Sequence, residues 1–471
     1  MLQNRRSFLK ASTATALATG FGYPNIAPAV ELDEIPQGER PQQDGSISVL
    51  NPAGRVPVSF IIDDSTCLVN MAHFAMPQFA QAWPDREDYR KPWRQWPREI
   101  PDSFVRKFGE WSRDNGVKGK YSVVPCPSCV GWVDRLLPGW SGSELSASLK
   151  LVRDLMVPNW DIHPEMISHT RVIDLRTGRP FEEVSAHTME NWHPAQDVTS
   201  DHLAAYIALA LQTLKNVDLP CEGFTTPGGF GNRVKSELSL AGAQAVRSVF
   251  NPEVPHYFKY VETGDKSTQP RVEHASGLGT DDPQCMVNVL AGTGDWFGGW
   301  DGVSFTGDVE SSADRFITSA LDSGRMVDLI RRGEPAIMLC HWPGIYCNGD
   351  ERGFQIFQRA VTRLNRGYGN QIRWMKLSEI ARYWAAKELT AISRVGNRVI
   401  LNAPFTASAF TLQITHSQTE HAPRFLRPGM EPAPLREVRT EALANGTFDR
   451  RTPSSTTVCI ELPRGTSEIL V

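Results

Sequence analysis

Short apolar segments alternate with amphipathic ones along most of the chain. The apolar segments are typical of strands and read RVPVSFIIDD (55–64), VKGKYSVVP (117–125), NWDIHPEM (159–166), CEGFTT (221–226), QCMVNVLAG (284–292), PAIMLCHW (335–342) and QIRWMK (371–376). Apolar residues at helical spacing occupy 103–116, 143–156, 200–214, 354–364 and 377–384. This alternation predicts an α/β fold with a mainly parallel sheet, built either as a barrel or as a doubly wound sheet.

The pattern changes after about residue 386. The segments NRVILNAPFTASAFTLQITH (397–416) and STTVCIELP (455–463) alternate apolar and polar residues, with turn signals between them. We therefore predict a small β-rich C-terminal module at 386–471. It is expected to serve as a packing lid or structural appendage, with carbohydrate binding as the alternative role.

The first 29 residues have the pattern of an export signal. Arg5 and Arg6 are followed by Ser-Phe-Leu-Lys, a short weakly apolar run, and small residues at Ala27 and Ala29. The run is too short and too polar to span a bilayer, and no later segment has the length of a transmembrane helix. We expect export by the twin-arginine route to the periplasm or the exterior. A linker rich in Pro, Gln, Gly and acidic residues is expected at 30–55.

Charge and cysteine usage exclude some classes of partner. The net charge is −4 with both signs mixed, which argues against a nucleic acid or an anionic membrane as the partner. Of the eight cysteines, Cys126 and Cys129 share a two-residue spacing in PCPSC. No second cysteine pair follows to complete a tetrahedral thiolate site, so we expect a local disulfide or two packed thiols.

Residues suited to catalysis recur where the predicted strands end. They are Asp63, Asp64, Glu165, His169, Thr225, Thr226 and His341. In parallel α/β sheets the carboxyl ends of the strands collect the reactive side chains. The pattern therefore predicts one site built from several strand ends.

These residue types fit a divalent metal. Two adjacent carboxylates at a strand end favour a cation or a proton between them, although an Asp-Asp pair also serves as a turn or a helix cap. Glu165 and His169 are four residues apart and can face one ion, and carboxylates with an imidazole are an accepted set for zinc. His163 in the same stretch is the alternative ligand. His341 alone fits a hydrogen-bonded core histidine, but in this company it is a candidate general acid.

The ordered motifs resemble those of the polysaccharide deacetylases, metal-dependent carbohydrate esterases with a NodB homology domain. FIIDDS (60–65), DIHPEMISH (161–169), TTPGGFG (225–231), GTGDW (292–296) and IMLCHW (337–342) are similar to the five motifs of that family, in the same order. The resemblance spans residues 56–385 and implies a distorted (β/α) barrel over that range.

The resemblance also implies roles. Asp63 corresponds to the catalytic base, Asp64 to a metal ligand and His341 to the general acid. Aligning the start of the second motif places Glu165 where the family has its first histidine and His169 on the second, so both become metal ligands. The glutamate in place of a histidine leaves the identity of the metal open, with zinc as the expected ion.

Other positions of the resemblance are further candidates for the site. Asp295 and Trp296 match the fourth motif, and Thr226 lies in the third. Thr225 stands where the family has an arginine that tunes the catalytic aspartate, and Arg233 is a candidate substitute.

The implied activity is hydrolysis of an N-acetyl or O-acetyl group on a carbohydrate or a small acetylated substrate. Two alternatives remain open: a metal-dependent amidohydrolase acting on a non-sugar amide, and a non-catalytic carbohydrate-binding relative of the deacetylases. His187 and His193 are candidate residues of the substrate groove. An insertion at 71–97, rich in Trp, Pro and charged residues, is expected to reshape that groove.

Overall fold

The computed structural model describes residues 38–305, 307–415, 421–452 and 454–471. The expected export signal at 1–29 and the first part of the expected linker lie outside these residues, as does His416. Within the described ranges, no helix combines the length and the apolar character needed to cross a membrane.

Strands and helices alternate up to residue 389, after which strands dominate. The strands are β1 (Ile47–Val49), β2 (Val56–Asp63), β3 (Gly119–Ser122), β4 (Trp160–His163), β5 (Ile173–Asp174), β6 (Arg179–Pro180), β7 (Gly223–Thr225), β8 (His256–Val261), β9 (Arg271–Ser276), β10 (Gln284–Ala291), β11 (Ala336–His341), β12 (Ile372–Trp374), β13 (Ala391–Val395), β14 (Arg398–Ala403), β15 (Ala407–Thr415), β16 (Arg424–Leu426), β17 (Ala433–Pro434), β18 (Arg436–Glu437), β19 (Thr447–Thr452), β20 (Ser455–Leu462) and β21 (Gly465–Leu470). The helices are α1 (Met71–Ala82), α2 (Asp102–Asp114), α3 (Gly142–Leu151), α4 (Ser200–Lys215), α5 (Lys235–Val249), α6 (Val309–Phe316), α7 (Arg325–Arg332), α8 (Trp342–Tyr346), α9 (Arg352–Tyr368) and α10 (Leu377–Leu389).

A parallel sheet lies at the centre of the α/β part. Its order is β11-β2-β3-β4, and β12 also pairs with β2. Every residue of β2 is buried, as expected for a parallel strand covered on both faces. The register places His341 at the end of β11 directly beside Asp63 at the end of β2.

A second sheet has the order β7-β8-β10-β9, in which the first three strands are parallel and β9 is antiparallel. Isolated parallel bridges connect the strand ends of the two sheets, one between Glu165 and Thr225 and one between Asp295 and Leu339. The fold is therefore mixed α/β, as predicted. The closed barrel itself stays a prediction.

The strands after α10, together with β1, form two five-stranded sheets. Their orders are β1-β15-β20-β19-β18 and β13-β14-β21-β16-β17. Strand β1 comes from the segment expected to be a linker, and it pairs antiparallel with β15 through Ile47 and Ile414. Its short alternation of Ile47, Ser48 and Val49 is hidden in the sequence by polar and Pro-rich flanks, so the linker expectation missed this strand.

Two large hydrophobic cores share the central strands. Phe60 and Ile62 of β2 pack into the core formed with α2, α4, α5 and α9. Ile61, on the opposite face of β2, packs into a core that also holds Trp384 of α10 and Phe410 of β15. The C-terminal sheets are therefore built onto the α/β part through a common core.

Local sequence explains two of the helices, α9 and α3. Helix α9 buries Phe354, Phe357, Val361 and Leu364, which are spaced three and four residues apart along one face. Helix α3 begins with a capping box: Ser141 accepts a hydrogen bond from the Glu144 N–H, and the Glu144 carboxylate accepts one from the Ser141 N–H.

The insertion at 71–97 forms α1 and a separate aromatic cluster. Phe79, Tyr89 and Trp96 are buried in this cluster together with Met189, and Trp300 packs against it. The ring centroids of Phe79 and Trp300 are 5.4 Å apart. The insertion is thus fixed to the loop that follows β10, while its effect on a substrate groove stays a prediction.

Candidate metal centre

Asp64, Glu165 and His169 converge at the carboxyl ends of β2 and β4. Nε2 of His169 lies 2.8 Å from Oδ1 of Asp64 and 3.2 Å from Oε1 of Glu165. The backbone N–H of Asp64 donates to Oε2 of Glu165 at 2.8 Å. Asp64 and Glu165 are buried and His169 is half-buried. The structure therefore brings together the three residues that the sequence predicted as metal ligands.

The backbone at these residues is held in an uncommon conformation. Asp64, Met166 and His169 have φ values of 57°, 48° and 59°, in the left-handed region that non-glycine residues rarely adopt. Such backbone strain, on the order of 1–3 kcal/mol for each residue, clusters at functional sites because the surrounding structure has to enforce it. Three such residues around one cluster are consistent with a site shaped for a ligand.

The three side chains fit a divalent ion. Ligand atoms that share a tetrahedral ion at about 2.0–2.2 Å lie about 3.4 Å from one another, close to the two separations measured from His169. Burial lowers the pKa of His169, but the charges of Asp64 and Glu165 outweigh that effect and raise the pKa well above its usual value. The pair of carboxylates thus attracts a positive charge into this cluster, and a divalent ion would compete with the imidazole proton for it.

Asp63 lies beside this cluster and contacts a buried lysine. Lys120 on β3 is fully buried, forms an ion pair with Asp63, and donates hydrogen bonds to Oγ of Ser122 and the carbonyl of Ile62. Burial and the charge of Glu165 raise the pKa of Asp63 to about 7, against the opposing charges of Lys120 and His341. The cation that tunes Asp63 is therefore Lys120, whereas the sequence-based candidate, Arg233, is exposed.

His341 is oriented by Asp295. Nδ1 of His341 lies 2.8 Å from Oδ2 of Asp295, and that oxygen also accepts the backbone N–H of His341 at 3.2 Å. Burial lowers the pKa of His341, but the hydrogen bond to Asp295 and the charges of Asp64 and Asp63 outweigh it and raise the pKa to about 9. His341 is thus a protonated imidazole near neutral pH, beside two acids of the site.

A buried glutamate that no sequence motif indicates supports the metal loop, defined here as residues 165–170. Glu190 accepts hydrogen bonds from the backbone N–H groups of Ile167, Ser168 and His169, at distances down to 2.5 Å. The hydroxyl of Tyr206 donates to the same carboxylate. Burial raises the pKa of Glu190 to about 7, and these hydrogen bonds oppose the rise. Glu190 therefore holds the loop that carries two candidate ligands.

The alternative ligand, His163, belongs to a different group of contacts. It is fully buried, its Nε2 lies 3.0 Å from Nε2 of His256, and its Nδ1 lies 3.3 Å from Oγ1 of Thr225. The neighbouring Thr226 is buried and donates its backbone N–H to the carbonyl of Phe258 at 3.2 Å. His163 thus pairs with a second histidine instead of joining the metal cluster.

The remaining candidates lie in packed or exposed positions. The Trp296 ring packs against that of Phe316 of α6 at an interplanar angle of 53°, and the Arg315 guanidinium lies 4.3 Å from the Trp296 ring centre. His193 is half-buried against Tyr206, and His187 is exposed. Roles for these side chains in a substrate groove stay predictions.

Comparison with known proteins gives distant structural similarities. No family model matches the sequence, and no curated protein matches it. A structure described as a polysaccharide deacetylase from Mycobacterium smegmatis is similar with a TM-score of 0.41 and 12% identity, over 76% of this chain and 98% of that chain. One so described from Pseudomonas aeruginosa PAO1 has a TM-score of 0.38 and 10% identity, over 70% and 91%. An allantoinase has a TM-score of 0.38 and 12% identity, over 78% and 98%. The chain thus has hydrolases among its distant structural neighbours.

Proposed function

We propose that this chain is a metal-dependent hydrolase that removes an acetyl group from an N- or O-acetylated carbohydrate. One observation carries the proposal: Asp64, Glu165 and His169 converge beside Asp63, which is ion-paired with Lys120, and His341, which is hydrogen-bonded to Asp295. A cluster of ligands, a base and an acid are the parts that hydrolytic cleavage of an acyl group requires. The order of the five motifs along the sequence supports the same chemistry.

Asp64, Glu165 and His169 would hold the ion, for which zinc is the expected choice. Bound there, a divalent ion supplies Lewis acidity toward the carbonyl group of the substrate. Glu190 and the backbone of the metal loop keep Glu165 and His169 in position for it.

Asp63 would accept the proton of the attacking water. Lys120 offsets part of the cost of burying the aspartate charge, so a carboxylate can persist in this buried place. His341 would donate its proton to the departing amine or alkoxide, and Asp295 fixes the imidazole by accepting from Nδ1. Base and acid stand side by side because β2 and β11 are in parallel register at Asp63 and His341.

The proposal also includes the distorted (β/α) barrel and export. The bridges from Glu165 to Thr225 and from Asp295 to Leu339 support closure of such a barrel, because each connects the parallel sheet to the mixed sheet. Arg5 and Arg6 with their flanking residues support export by the twin-arginine route to the periplasm or the exterior.

The substitution Asp63→Asn tests the catalytic assignment. We expect hydrolysis of acetylated oligosaccharides to fall by about 10²- to 10⁴-fold, because the amide cannot accept the proton. Bound zinc, measured by elemental analysis, should remain because Asp63 is not a ligand. Asp265→Asn, at an exposed position, is the matched control and should keep full activity. Full activity in Asp63→Asn would refute the assignment.

Substrate choice is tested on the wild-type protein with and without metal. We expect release of acetate from N-acetylated or O-acetylated oligosaccharides, loss of that activity with a chelator, and recovery on adding zinc. Cleavage of small amides in place of acetylated sugars would instead support an amidohydrolase. Glycan binding without hydrolysis or bound metal would support a non-catalytic relative.

A further inference from the structure

The turn that contains Cys126 and Cys129 packs directly against the metal loop. The backbone N–H of Cys126 donates to the carbonyl of Ile167 at 2.7 Å, and that of Ser128 donates to the carbonyl of Ser168 at 2.9 Å. On its other side, the metal loop is held by Glu190. Hydrogen bonds thus hold the metal loop to both the Glu190 carboxylate and the cysteine turn. A conformational change in the turn would therefore shift the loop that carries Glu165 and His169.

The two thiols lie three residues apart on one tight turn, and one of them is partly accessible. The backbone N–H of Cys129 donates to the carbonyl of Cys126 at 2.9 Å, so one tight turn carries both side chains. Sγ of Cys129 also lies 3.5 Å from Oγ1 of Thr170 and 3.9 Å from the carbonyl of Arg171. Cys129 is half-buried, whereas Cys126 and the other six cysteines of the chain are buried. An incoming disulfide reagent would thus meet Cys129 first, with Cys126 next to it.

Two further features favour reaction at Cys129. Hydrogen bonds, first that from Cys126, lower the pKa of the Cys129 thiol to about 6 despite its burial, and the thiolate is the form that attacks a disulfide. Ser128 and Cys129 have left-handed φ values of 47° and 58°. The turn that carries both cysteines is therefore held in a strained conformation.

We propose that Cys126 and Cys129 are a redox-active pair whose oxidation to a disulfide strengthens metal binding by the adjacent loop. The redox chemistry is a property of the cysteine turn, whereas its effect on the metal rests on the proposed function. A disulfide across the turn fixes the strained backbone whose N–H groups hold Ile167 and Ser168, so less ordering remains when the ligands close on an ion.

The oxidation balances with a small-molecule disulfide as the oxidant. The Cys129 thiolate attacks one sulfur of that disulfide, forming a mixed disulfide and releasing one thiolate. The Cys126 thiol then loses its proton and attacks the Cys129 sulfur, forming the Cys126–Cys129 bond and releasing the second thiolate. Two electrons pass from the protein to the reagent, which leaves as two thiols.

The pair is tested first on the whole wild-type chain equilibrated with mixtures of reduced and oxidised dithiothreitol. After acid quenching, unfolding and alkylation, peptide mass spectrometry reports each cysteine. We expect Cys126 and Cys129 to lose alkylation together in one two-electron transition, while Cys459 stays fully alkylated. Persistence of both thiols at the most oxidising ratio, or pairing of Cys129 with a different cysteine, would overturn the redox proposal.

The effect on the metal is then measured with Co²⁺, after the reagents are removed under anaerobic conditions. We expect the oxidised protein to bind Co²⁺ about tenfold more tightly than the reduced protein, without the near-ultraviolet band of thiolate ligation. In Cys129→Ser the affinity should not depend on redox treatment, and Cys459→Ala, in the C-terminal sheet, should behave as wild type.

The outcomes separate the two parts of the proposal. Equal or weaker Co²⁺ binding by the oxidised protein would overturn the coupling. A thiolate band in the reduced protein would overturn it as well, because the cysteines would then be ligands themselves. Absence of Co²⁺ binding in both redox states would refute the metal site and with it the proposed function, while the alkylation result would still decide the redox pair.

Discussion

Glu190 uses both of its carboxylate oxygens to support the metal loop. Oε1 accepts from the N–H groups of Ile167 and Ser168 and from the Tyr206 hydroxyl, and Oε2 accepts from Ser168 and His169. A carboxylate is suited to this position because the N–H and O–H groups that contact it all donate hydrogen bonds. Residues that support a metal site in this way fix the orientation of its ligands and thereby affect the affinity for the metal.

The substitution Glu190→Gln therefore should weaken metal binding although the residue is not a ligand. In either orientation the amide NH₂ would face backbone N–H donors, which leaves them unsatisfied and lets the loop shift. We expect the metal dissociation constant to rise about 10- to 100-fold, measured by competition with a chromophoric chelator. Activity at saturating metal should recover most of its wild-type value.

The exposed Glu431→Gln provides the matched control, and Tyr206→Phe should show a smaller effect because it removes one of the donors. An unchanged metal affinity in Glu190→Gln would contradict the assigned role, even if its melting temperature fell, because a purely structural contribution would affect stability alone.

At this scale the sequence could predict residues that belong to strand ends and short motifs. Asp64, Glu165 and His169 could be predicted from the sequence, because their spacing within two motifs places them at the ends of two strands. Lys120 and Glu190 were not, since their partners lie far away along the chain. Lys120 meets Asp63 only when β3 pairs with β2, and a lone lysine in a strand carries no signal of that contact.

Strands β4 and β8 bring two histidines together inside the fold. His163 ends β4 and His256 begins β8, and their Nε2 atoms are 3.0 Å apart. Both side chains are fully buried. Burial lowers the pKa of His256 from 6.5 to about 4, so this contact between elements requires a neutral imidazole.

The pair makes the stability of the fold depend on pH. Between about pH 6.5 and pH 4 the unfolded chain binds a proton at His256 that the folded chain excludes. The free energy of unfolding therefore falls as the pH falls through this interval, by on the order of 3 kcal/mol from this group. Urea unfolding of wild type and His256→Gln at pH 7 and pH 4 should show a smaller decline in the variant.

His187→Gln is the control for this measurement, because His187 is exposed and should leave the pH dependence unchanged. An equal decline in wild type and His256→Gln would show that other groups cause the acid sensitivity.

Prediction of whole elements succeeded where one burial pattern ran through a segment. Strand β2 is buried at every position and α9 along one face, so each has a clear periodicity. Helix α1 was not predicted. It contains Pro77, which is unfavourable inside a helix, and it lies in a segment rich in Trp and charged residues. Strand β8 was not predicted either, because it mixes His256 and Lys259 with aromatic residues and lacks the continuous apolar run of its neighbours.

Over the whole molecule, α10 joins the α/β part to the C-terminal sheets. The Tyr383 hydroxyl donates to the carbonyl of Leu50 at 2.7 Å and accepts the N–H of Thr411 at 3.2 Å. Trp384 packs into the core that these sheets share with β10 and β11. The Tyr383 side chain thus connects the segment around Leu50, helix α10 and β15. We therefore expect the described chain from residue 38 onward to unfold as one unit.

The substitution Tyr383→Phe tests whether the two parts unfold cooperatively. Removing the hydroxyl leaves a buried carbonyl and N–H without this partner, which should lower the free energy of unfolding by about 1–3 kcal/mol. We expect one cooperative thermal transition shifted to lower temperature, with the same midpoint by near- and far-ultraviolet circular dichroism. Tyr346→Phe, in the other core, is the matched control. A new early transition confined to the β-rich part would contradict the shared core.

The sequence supported the division into an α/β part and a β-rich part, because the periodicity changes near residue 386. It could not indicate that the two share a core, since the apolar faces of α10 and β15 do not identify their partners. Nor could it indicate how the sheets join, because the bridges from Glu165 to Thr225 and from Asp295 to Leu339 are single contacts between distant segments.

The pairing of β1 with β15 has a consequence for how the protein is made. Ile47 leaves the ribosome long before Ile414, its partner, has been synthesised. Throughout that interval β1 has no partner strand, and its sheet is complete only after β20 has been synthesised. This sheet therefore cannot form until β15 has been synthesised, and the nascent β1 segment needs protection from aggregation until then.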